Sequence, residues 1–457
     1  MKNILSFCIF FLIVTLSNAQ NWNDQFHLNS KGRVKILDLE LNSETNSKVI
    51  TGYFTDTIFA KSDTLVADGW GIFTASYDQD FNLNWVYEID GGGFELRSNL
   101  AIDNSGNIYL TGIFTSDICN FENDTTLSSE GYGDIFLAKI GQTGQFKWAK
   151  NIGKGPTKQD NNRIHIDNSQ NIIMGSRYVD SIRLFDGEVD TTFFSGKSGS
   201  TASVISVLDT SGNFINNNYY NIASSSRVDI YEINDYNGNY FFSARFSDSA
   251  YFTNDTLISM NNSNDIFLLK TNSNLDDIWI QRTYGSLGDY PGSTTNDRYG
   301  NVYLTGFINS TDFKVDSTED LTTDIIPNNG GRDVFILKYN RNGTLQWGKS
   351  YGSAANDWAR EIVESQNVLY ITGYYEDDIS FGDDYLTHVG GEDFFVGTFD
   401  TDGNKLRAFG LDQQGSNDES GLALSVGPDN AVYTGGYFKS PSIGIGDTTF
   451  NLNGTQD

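Results

Sequence analysis

One phrase recurs along this chain, and its even spacing constrains the fold more than any other feature. It reads "GNIYLTGIF" from Gly106 and "GNVYLTGFI" from Gly300, with weaker copies such as "NVLYITGYY" from Asn367. Aligning all copies places a small residue, here called the anchor, at one position in each of seven repeats, 60 to 68 residues apart. The anchors are Gly52, Gly112, Ser176, Ala244, Gly306, Gly373 and Gly436. This regularity indicates a repeat architecture.

Each repeat continues with a second motif, in which an aspartate opens a short apolar run. The clearest copies are "DIFLAK" from Asp134, "DIFLLK" from Asp265 and "DVFILK" from Asp333. A continuous apolar run of this length is typical of a strand that is buried on both faces. Turns such as "DNSGN" at 103–107 separate the strands, because Asp or Asn before Gly favours the positive φ of a tight turn.

These patterns predict an all-β protein. The 24 Tyr and 32 Phe residues favour strands, and 46 Gly against only 5 Pro favour tight turns. Each repeat is predicted to form four antiparallel strands with two apolar faces, which neighbouring repeats must cover. A linear array would leave its terminal faces exposed, and a two-domain sandwich would not explain seven equivalent positions. The predicted fold is therefore a β-propeller of seven four-stranded blades over residues 20–457.

The two ends of the chain bear on how such a ring closes. Trp22 aligns with the tryptophan that follows the second motif, such as Trp347, so the chain after its leader opens on the last strand type of the cycle. At the other end, Asp457 aligns with Asp333, and the apolar strand that should follow is absent. We therefore expect ring closure by N- and C-terminal strands, with the closing strand missing from this chain, the last repeat truncated and the chain a fragment of a longer protein.

Residues 1–19 are predicted to be a signal peptide. A basic residue precedes a short apolar run over 4–16, and small residues precede a cleavage site after Ala19. The run is shorter than the roughly 20 residues that a membrane span needs. We therefore expect a secreted or cell-surface protein with no membrane insertion after signal cleavage.

The formal net charge of −29 argues against binding to nucleic acid or to anionic membrane, because such binding needs Lys and Arg contacts to phosphate. Cysteines occur only as Cys8, inside the predicted signal, and Cys119. No internal disulfide is therefore expected, and Cys119 is interpreted as a small buried side chain. We expect a monomer whose partners are extracellular proteins or glycans.

The sequence shows no catalytic constellation. There is no G-x-S-x-G elbow, and a lone cysteine makes no Cys–His pair. The weak metal candidate is the "DTDGN" turn, where Asp400 and Asp402 could offer oxygen ligands to calcium. An EF-hand loop would need Glu at position 411, where the chain has Leu411, so an ordinary turn is the preferred interpretation. Three histidines lack metal-ligand spacing: His27, His165 and His388.

At the two motifs the chain resembles the bacterial SBBP family of β-propeller repeats. The matching residues are the "GN-x-Y-x-TG-x-F" strand, the "G-x-D-x-F-L-x-K" strand and the "G-x-x-x-W" that follows, over nearly all of residues 20–457. The resemblance implies a propeller outside the cytoplasm, and large family members often end in a sorting domain. It implies no activity and carries over no catalytic residue. Sialidase-like propellers have a related turn, but "NRNGTLQW" is one residue too long, so Trp347 is interpreted as packing between blades.

The leading functional hypothesis is a non-enzymatic extracellular propeller that acts as a binding or scaffold module. The alternatives are a secreted carbohydrate-active enzyme, a glycosidase or lyase built on the same fold, and a passive surface spacer. Carboxylates clustered near one end of the strands, with at least one strongly raised pKa, would favour the enzyme. No catalytic residue is predicted, the binding residues are unknown, and calcium is the only cofactor considered.

Overall fold

The computed structural model describes residues 9–15, 22–60, 63–90, 96–121, 125–185, 190–253, 255–315, 326–411, 416–427, 431–445 and 448–451. Within these ranges the regular structure is β-strand, apart from one short 3-10 helix at Met260–Asn262. The prediction of an all-β protein is confirmed. The same ranges contain no helix that is long and apolar enough to cross a membrane. The predicted cleavage site after Ala19 and the aligned Asp457 lie outside the described residues.

The chain divides into two compact units, each described by itself below. Unit 1 comprises Met1–Pro156, Val389–Phe395 and Gly410–Asp457. Unit 2 comprises Thr157–His388 and Val396–Phe409.

The strands follow the repeats in chain order. The N-terminus and repeat one contribute β1 (Ile9–Thr15), β2 (Trp22–Ser30), β3 (Val34–Asn42), β4 (Ser47–Ala60), β5 (Asp63–Tyr77) and β6 (Leu83–Ile89). Repeat two contributes β7 (Leu96–Ile102), β8 (Ile108–Phe114), β9 (Ile118–Asn120), β10 (Thr126–Ser128), β11 (Asp134–Ile140) and β12 (Phe146–Lys154). Repeat three contributes β13 (Gln159–Ile166), β14 (Ile172–Val179), β15 (Ser181–Phe185), β16 (Asp190–Phe194), β17 (Thr201–Leu208) and β18 (Phe214–Ser224).

Repeats four to seven repeat this layout. Repeat four contributes β19 (Arg227–Tyr236), β20 (Asn239–Ser247), β21 (Ser249–Tyr251), β22 (Thr256–Ile258), β23 (Asp265–Asn272) and β24 (Asp277–Tyr284). Repeat five contributes β25 (Tyr290–Asn296), β26 (Val302–Ile308), β27 (Lys314–Val315), β28 (Asp333–Tyr339) and β29 (Leu345–Tyr351). Repeats six and seven contribute β30 (Asp357–Ser365), β31 (Val368–Tyr375), β32 (Ile379–Phe381), β33 (Asp384–Leu386), β34 (Asp393–Asp400), β35 (Lys405–Phe409), β36 (Glu419–Val426), β37 (Ala431–Phe438), β38 (Ser442–Ile445) and β39 (Thr448–Asn451).

The repeat unit is a four-stranded antiparallel meander, which is the blade of a β-propeller. Five blades lie in five different sheets, within which their strands have the orders β7–β8–β11–β12, β13–β14–β17–β18, β19–β20–β23–β24, β25–β26–β28–β29 and β30–β31–β34–β35. The first three of these sheets also include short strands of the next repeat. The prediction of seven separate blades is therefore wrong in number. The strands of the first and last repeats belong instead to one eight-stranded sheet in unit 1.

Both chain ends meet in that eight-stranded sheet. β1 pairs with β37, with Phe11 opposite Gly435, and also with β2, with Ile9 opposite Leu28. β2 continues onto β4, where Ser30 lies opposite Ile58, and this pairing joins the first repeat to the last. Strands from both ends of the chain therefore pair in one sheet. β1 lies within residues 1–19, the predicted signal peptide, so the absence of the C-terminal closing strand stays a prediction.

The third strand of each blade packs on both of its faces, as its apolar run predicted. In β23, Phe267 and Leu269 belong to a core shared with the strands of repeat three. The alternate residues Ile266 and Leu268 belong to a core shared with repeat five. Because successive side chains of a strand point to opposite faces, a single blade leaves one apolar face uncovered until its neighbour packs there.

Three of the repeat tryptophans, Trp85, Trp279 and Trp347, contact the tight turn of the next repeat. In unit 2, Trp279 Nε1 and Lys270 Nζ both donate hydrogen bonds to the carbonyl oxygen of Arg341, at 3.2 and 2.9 Å. In unit 1, a Cβ on Gly144 would lie 2.5 Å from Cγ of Trp85, so this turn must carry glycine. The interpretation of the tryptophan as packing between blades is confirmed. The same contact recurs one repeat later, at Trp347, Lys338 and Thr401.

Replacing Gly144 with alanine tests this contact. Gly144→Ala should lower the free energy of unfolding by about 1–3 kcal/mol more than Gly238→Ala, because overpacking adds to the backbone cost. Both glycines have positive φ, +89° and +71°, but a Cβ on Gly238 would meet nothing within 4 Å. Urea unfolding of the two variants measures the difference. Equal losses would show that the Trp85 contact contributes nothing.

Candidate functional site

A β-bulge interrupts the pairing of the first two strands at the same place in all seven repeats. A bulge inserts an extra residue into one strand, bends it and re-aims its side chains, and it is common beside functional sites. The register shifts lie between Ile36 and Asp38, Leu96 and Asn99, Asp160 and Arg163, Ile230 and Glu232, Pro291 and Thr294, Ala359 and Glu361, and Gly421 and Ala423.

The bulge explains why the anchor is small. A Cβ on Gly306 would lie 2.1 Å from the carbonyl oxygen of Tyr290, and one on Gly373 would lie 1.8 Å from that of Trp358. Both carbonyls belong to the first strand, just before the bulge. The first strand therefore crosses closer to the anchor than a side chain allows.

Two side chains flank this close approach in each repeat: the residue after the anchor and its cross-strand partner just before the bulge. We call these the flanking positions. The sequence motif does not fix them, and they differ from repeat to repeat. In unit 2 the partners are Asp229 with Arg245, Tyr290 with Phe307, and Trp358 with Tyr374.

Three arginines of unit 2 surround one buried carboxylate, and we call this set the arginine cluster. Asp229 is 2% exposed, and its Oδ2 accepts hydrogen bonds of 2.7 Å from Nε of Arg227 and from Nε of Arg245. Nε of Arg177 lies 2.7 Å from the other carboxylate oxygen. These residues come from β14, β19 and β20, so only the strand register brings them together.

An aromatic row continues from the arginine cluster along the flanking positions of unit 2. The guanidinium carbon of Arg245 lies 4.3 Å from the ring centroid of Tyr290, whose ring stacks on Phe307 at 4.8 Å. Phe307 meets Trp358 edge to face at 4.8 Å. The guanidinium of Arg360 lies 3.3 Å from the centroid of Trp358. Cations over aromatic faces are attracted by the ring quadrupole, so the row is mutually stabilised.

The first strands of unit 2 also carry titratable groups beyond the bulge. Burial raises the pKa of Glu232, and the charge of Arg163 opposes this rise. Nε2 of His165 lies 2.8 Å from Oδ1 of Asp235. Burial is the largest influence on Asp235 and would raise its pKa, but the hydrogen bond and charge of His165 and the hydrogen bonds from Asn168 together outweigh burial and lower the pKa. The side chain of His165 thus binds a carboxylate of the neighbouring repeat.

Buried aspartates stand at the starts of strands in unit 2. In Asp333, Oδ2 accepts a hydrogen bond of 2.6 Å from the backbone N–H of Asn329. Burial raises the pKa of Asp265 and of Asp357 to about 7. It raises the pKa of Asp289 and of Asp333 to about 6. These aspartates hold the ends of loops against the sheets, and the structure gives them no exposed surface.

The weak metal candidate proves to be a turn in which Asp400 is already engaged. Its Oδ1 accepts backbone hydrogen bonds from Asp402 at 3.0 Å and from Asn404 at 2.7 Å. The side chain of Asp402 points to solvent. In the described part of the chain, no three His, Cys, Asp or Glu residues are grouped closely enough to hold a metal. The interpretation of an ordinary turn, with calcium as the weak alternative, stays a prediction.

Other candidates from the sequence fall in ordinary surroundings. Cys119 is fully buried in the core, as predicted. The backbone N–H of His388 donates to Oδ1 of Asp378 at 2.7 Å. The side chain of His27 lies outside the described residues. The arginine cluster and the aromatic row were not predicted, although counting one residue past each anchor points to Arg177, Arg245, Phe307 and Tyr374.

Comparisons with known proteins find distant similarity only. No protein-family model matches it, so the resemblance to SBBP repeats stays a prediction. An uncharacterised WD repeat-containing protein of Acanthamoeba polyphaga mimivirus is 26% identical over 209 residues, which cover 40% of this chain and 14% of that protein. This chain therefore spans a small part of that relative's length.

Two solved structures show weak similarity. BamB from Moraxella catarrhalis has a TM-score of 0.36 and 10% identity, covering 80% of this chain and 91% of its own. The WD40 domain of Pan2 from Neurospora crassa has a TM-score of 0.34 and 9% identity, covering 79% of this chain and 91% of its own. Scores at this level carry no argument about this chain.

The buried aspartates predict a stability that depends on pH. In the unfolded chain an aspartate has a pKa near 4, whereas the folded protein raises it to about 6 or 7 at these sites. As the pH rises, the unfolded state releases its protons first, so the free energy of unfolding should fall between about pH 4 and about pH 7. Urea unfolding across this range measures the fall.

Asp333→Asn should make this fall smaller, because it removes one of the raised pKa values. Asp190→Asn is the matched control, since its hydrogen bond with Arg183 lowers the pKa of Asp190, so that this residue cannot contribute a fall of stability with rising pH. A stability that rises between about pH 4 and about pH 7 would contradict the expectation.

Proposed function

We propose that this chain is an extracellular β-propeller that acts as a non-enzymatic binding or scaffold module. Its blades support the propeller, since within each unit the first strands of neighbouring repeats lie side by side. In unit 2, for example, Nδ2 of Asn234 donates to Oγ1 of Thr294 at 2.6 Å, between β19 and β25. The predicted signal peptide over residues 1–19 supports export.

The observation that carries the binding role is the arginine cluster together with the aromatic row. The repeat motif residues are used in packing: anchors, aspartates and tryptophans all contact neighbouring strands or turns. The flanking positions vary in sequence and yet form one continuous set of cations and aromatic rings in unit 2. Tyr, Trp and Arg are the side chains that most often dominate binding energy at protein surfaces. Arg227, Tyr290 and Trp358 are each partly exposed.

One observation favours the second candidate, a carbohydrate-active enzyme. Glu232 lies directly after a bulge, and burial raises its pKa, which is the state of a general acid. Glycoside hydrolysis needs a second carboxylate about 5–10 Å away. The charges of Arg163 and His165 and a hydrogen bond from the backbone N–H of Ile233 all favour the charged form of Glu232. We therefore favour the binding module.

Replacing Trp358 tests the binding role. The protein is applied to an array of glycans and extracellular proteins, and the affinity for each bound ligand is measured. Trp358→Ala should weaken binding at least roughly tenfold, as expected for an aromatic residue at the centre of a binding site. Tyr299→Ala is the matched control, because Tyr299 is exposed in a turn outside the aromatic row.

Turnover distinguishes the two candidates. A binding module should release its ligand chemically unchanged, and Glu232→Gln should leave the affinity within about twofold. Cleavage of the bound glycan that Glu232→Gln abolishes would overturn the proposal in favour of the enzyme. Thermal unfolding of each variant shows that it is folded.

A further inference from the structure

The arginine cluster concentrates positive charge in a chain whose formal net charge is −29. The guanidinium groups of Arg227 and Arg245 share one carboxylate oxygen of Asp229, so these three side chains together carry one positive charge in excess. The side chain of Arg245 is 9% exposed, so part of this charge is removed from water. Buried charges are normally paired, because an isolated one is costly to desolvate.

Arg245 and Arg227 differ in how many of their N–H donors Asp229 uses. Nε and Nη2 of Arg245 lie 2.7 and 2.6 Å from Oδ2 of Asp229, and its plane packs on Tyr290. Arg227 uses Nε for the same oxygen, and its side chain is 36% exposed. A guanidinium has five N–H donors in a rigid fork, so Arg227 keeps a free end that faces solvent.

The surroundings indicate which chemistry that free end would recognise. A planar carboxylate matches the fork of a guanidinium with two parallel hydrogen bonds. Tyr290 and Tyr231 both lie near Arg245, whose guanidinium carbon is 4.3 and 5.5 Å from their ring centroids. Their half-buried rings provide apolar edges beside the charge, which suits a compact ring-bearing ligand. A polyanion is disfavoured, since the net charge of the chain repels each further acidic group.

We infer that the arginine cluster is a subsite for the single carboxylate of an acidic sugar, with Arg227 as the residue that contacts it. In this arrangement Asp229 holds the three guanidinium groups together in the free protein, and the ligand supplies the second carboxylate. Arg245 and Arg177 act as positioning residues. The inference rests on the proposed binding function and names its ligand class.

The experiment compares two sugars that differ at one carbon. Binding of galacturonate and of galactose to the full chain is measured by calorimetry at about 0.15 M salt, where the Debye length is about 8 Å and long-range repulsion is screened. Galacturonate should bind at least roughly tenfold more tightly than galactose, as expected for one charge-assisted hydrogen-bonded pair. Arg227→Ala should remove this preference, and Arg227→Lys should restore only part of it, because it keeps the charge but loses the fork.

Arg183→Ala is the matched control. Arg183 has a similarly exposed side chain and also binds one aspartate, Asp190, but it lies on the β15–β16 hairpin outside the cluster. If Arg183→Ala and Arg227→Ala weaken galacturonate binding equally, the effect comes from net charge and the inference is overturned.

The remaining outcomes separate this inference from the proposed function. Equal binding of galacturonate and galactose would overturn the carboxylate subsite and leave the binding module standing. The same holds if neither sugar binds but another ligand on the array binds in a manner that depends on Trp358. If no ligand of any kind binds, both the subsite and the proposed function are overturned.

Discussion

The close approach of the first two strands at the anchor is the constraint on which the rest of the structure depends. In repeat six, the carbonyl oxygen of Trp358 occupies the space that a Cβ on Gly373 would take. First strands lie side by side within each unit, so displacing one strand would disturb its neighbours. Repeats three and four depart from glycine, with Ser176 and Ala244 as anchors, and these two repeats carry the arginine cluster. The anchor glycine is therefore replaced in the same two repeats that carry the three arginines.

Cooperation between repeats follows from the third strand and the tryptophan. A strand with apolar residues on both faces cannot be stable in an isolated blade, because one face stays exposed to water. The polar contacts reinforce this dependence, since Trp347 and Lys338 both donate to the carbonyl oxygen of Thr401 in the next repeat. Each turn is therefore shaped by the preceding blade, which is why the turn sequences recur together with the tryptophan.

The sequence predicts those parts of the fold that depend on local patterns. The apolar runs, the turn residues and the spacing of the anchors are all local features of the sequence. They correctly predict the strands, the four-stranded blades and the packing of tryptophan between blades. The number of separate sheets was missed because the pairing of β2 with β4 rests on Asn29 and Ser30, which carry no distinctive signal. The bulge was missed for the same reason, since it inserts a residue without a characteristic sequence.

The candidate site was missed because its members are distant in sequence and meet only through strand register. Arg177 and Asp229 are 52 positions apart; Arg177 lies at the variable position after the anchor, and Asp229 lies outside the two repeat motifs. The sequence suggested the acidic turn instead, because Asp400 and Asp402 precede a glycine, as acidic ligands do in some calcium-binding loops. Backbone N–H groups of its own turn occupy that carboxylate. Residue type pointed to the acidic turn, whereas position relative to the anchor points to the arginine cluster and the aromatic row.

The acidic surface and the arginine cluster act over different distances. At physiological salt, the repulsion that follows from a net charge of −29 decays over about 8 Å, whereas guanidinium hydrogen bonds act only at contact. The cluster therefore cannot attract a ligand from afar, and its contribution is selection among ligands that have already arrived. Asp229 is essential to that selection, because without it the guanidinium groups of Arg177, Arg227 and Arg245 would repel one another and lose their fixed geometry.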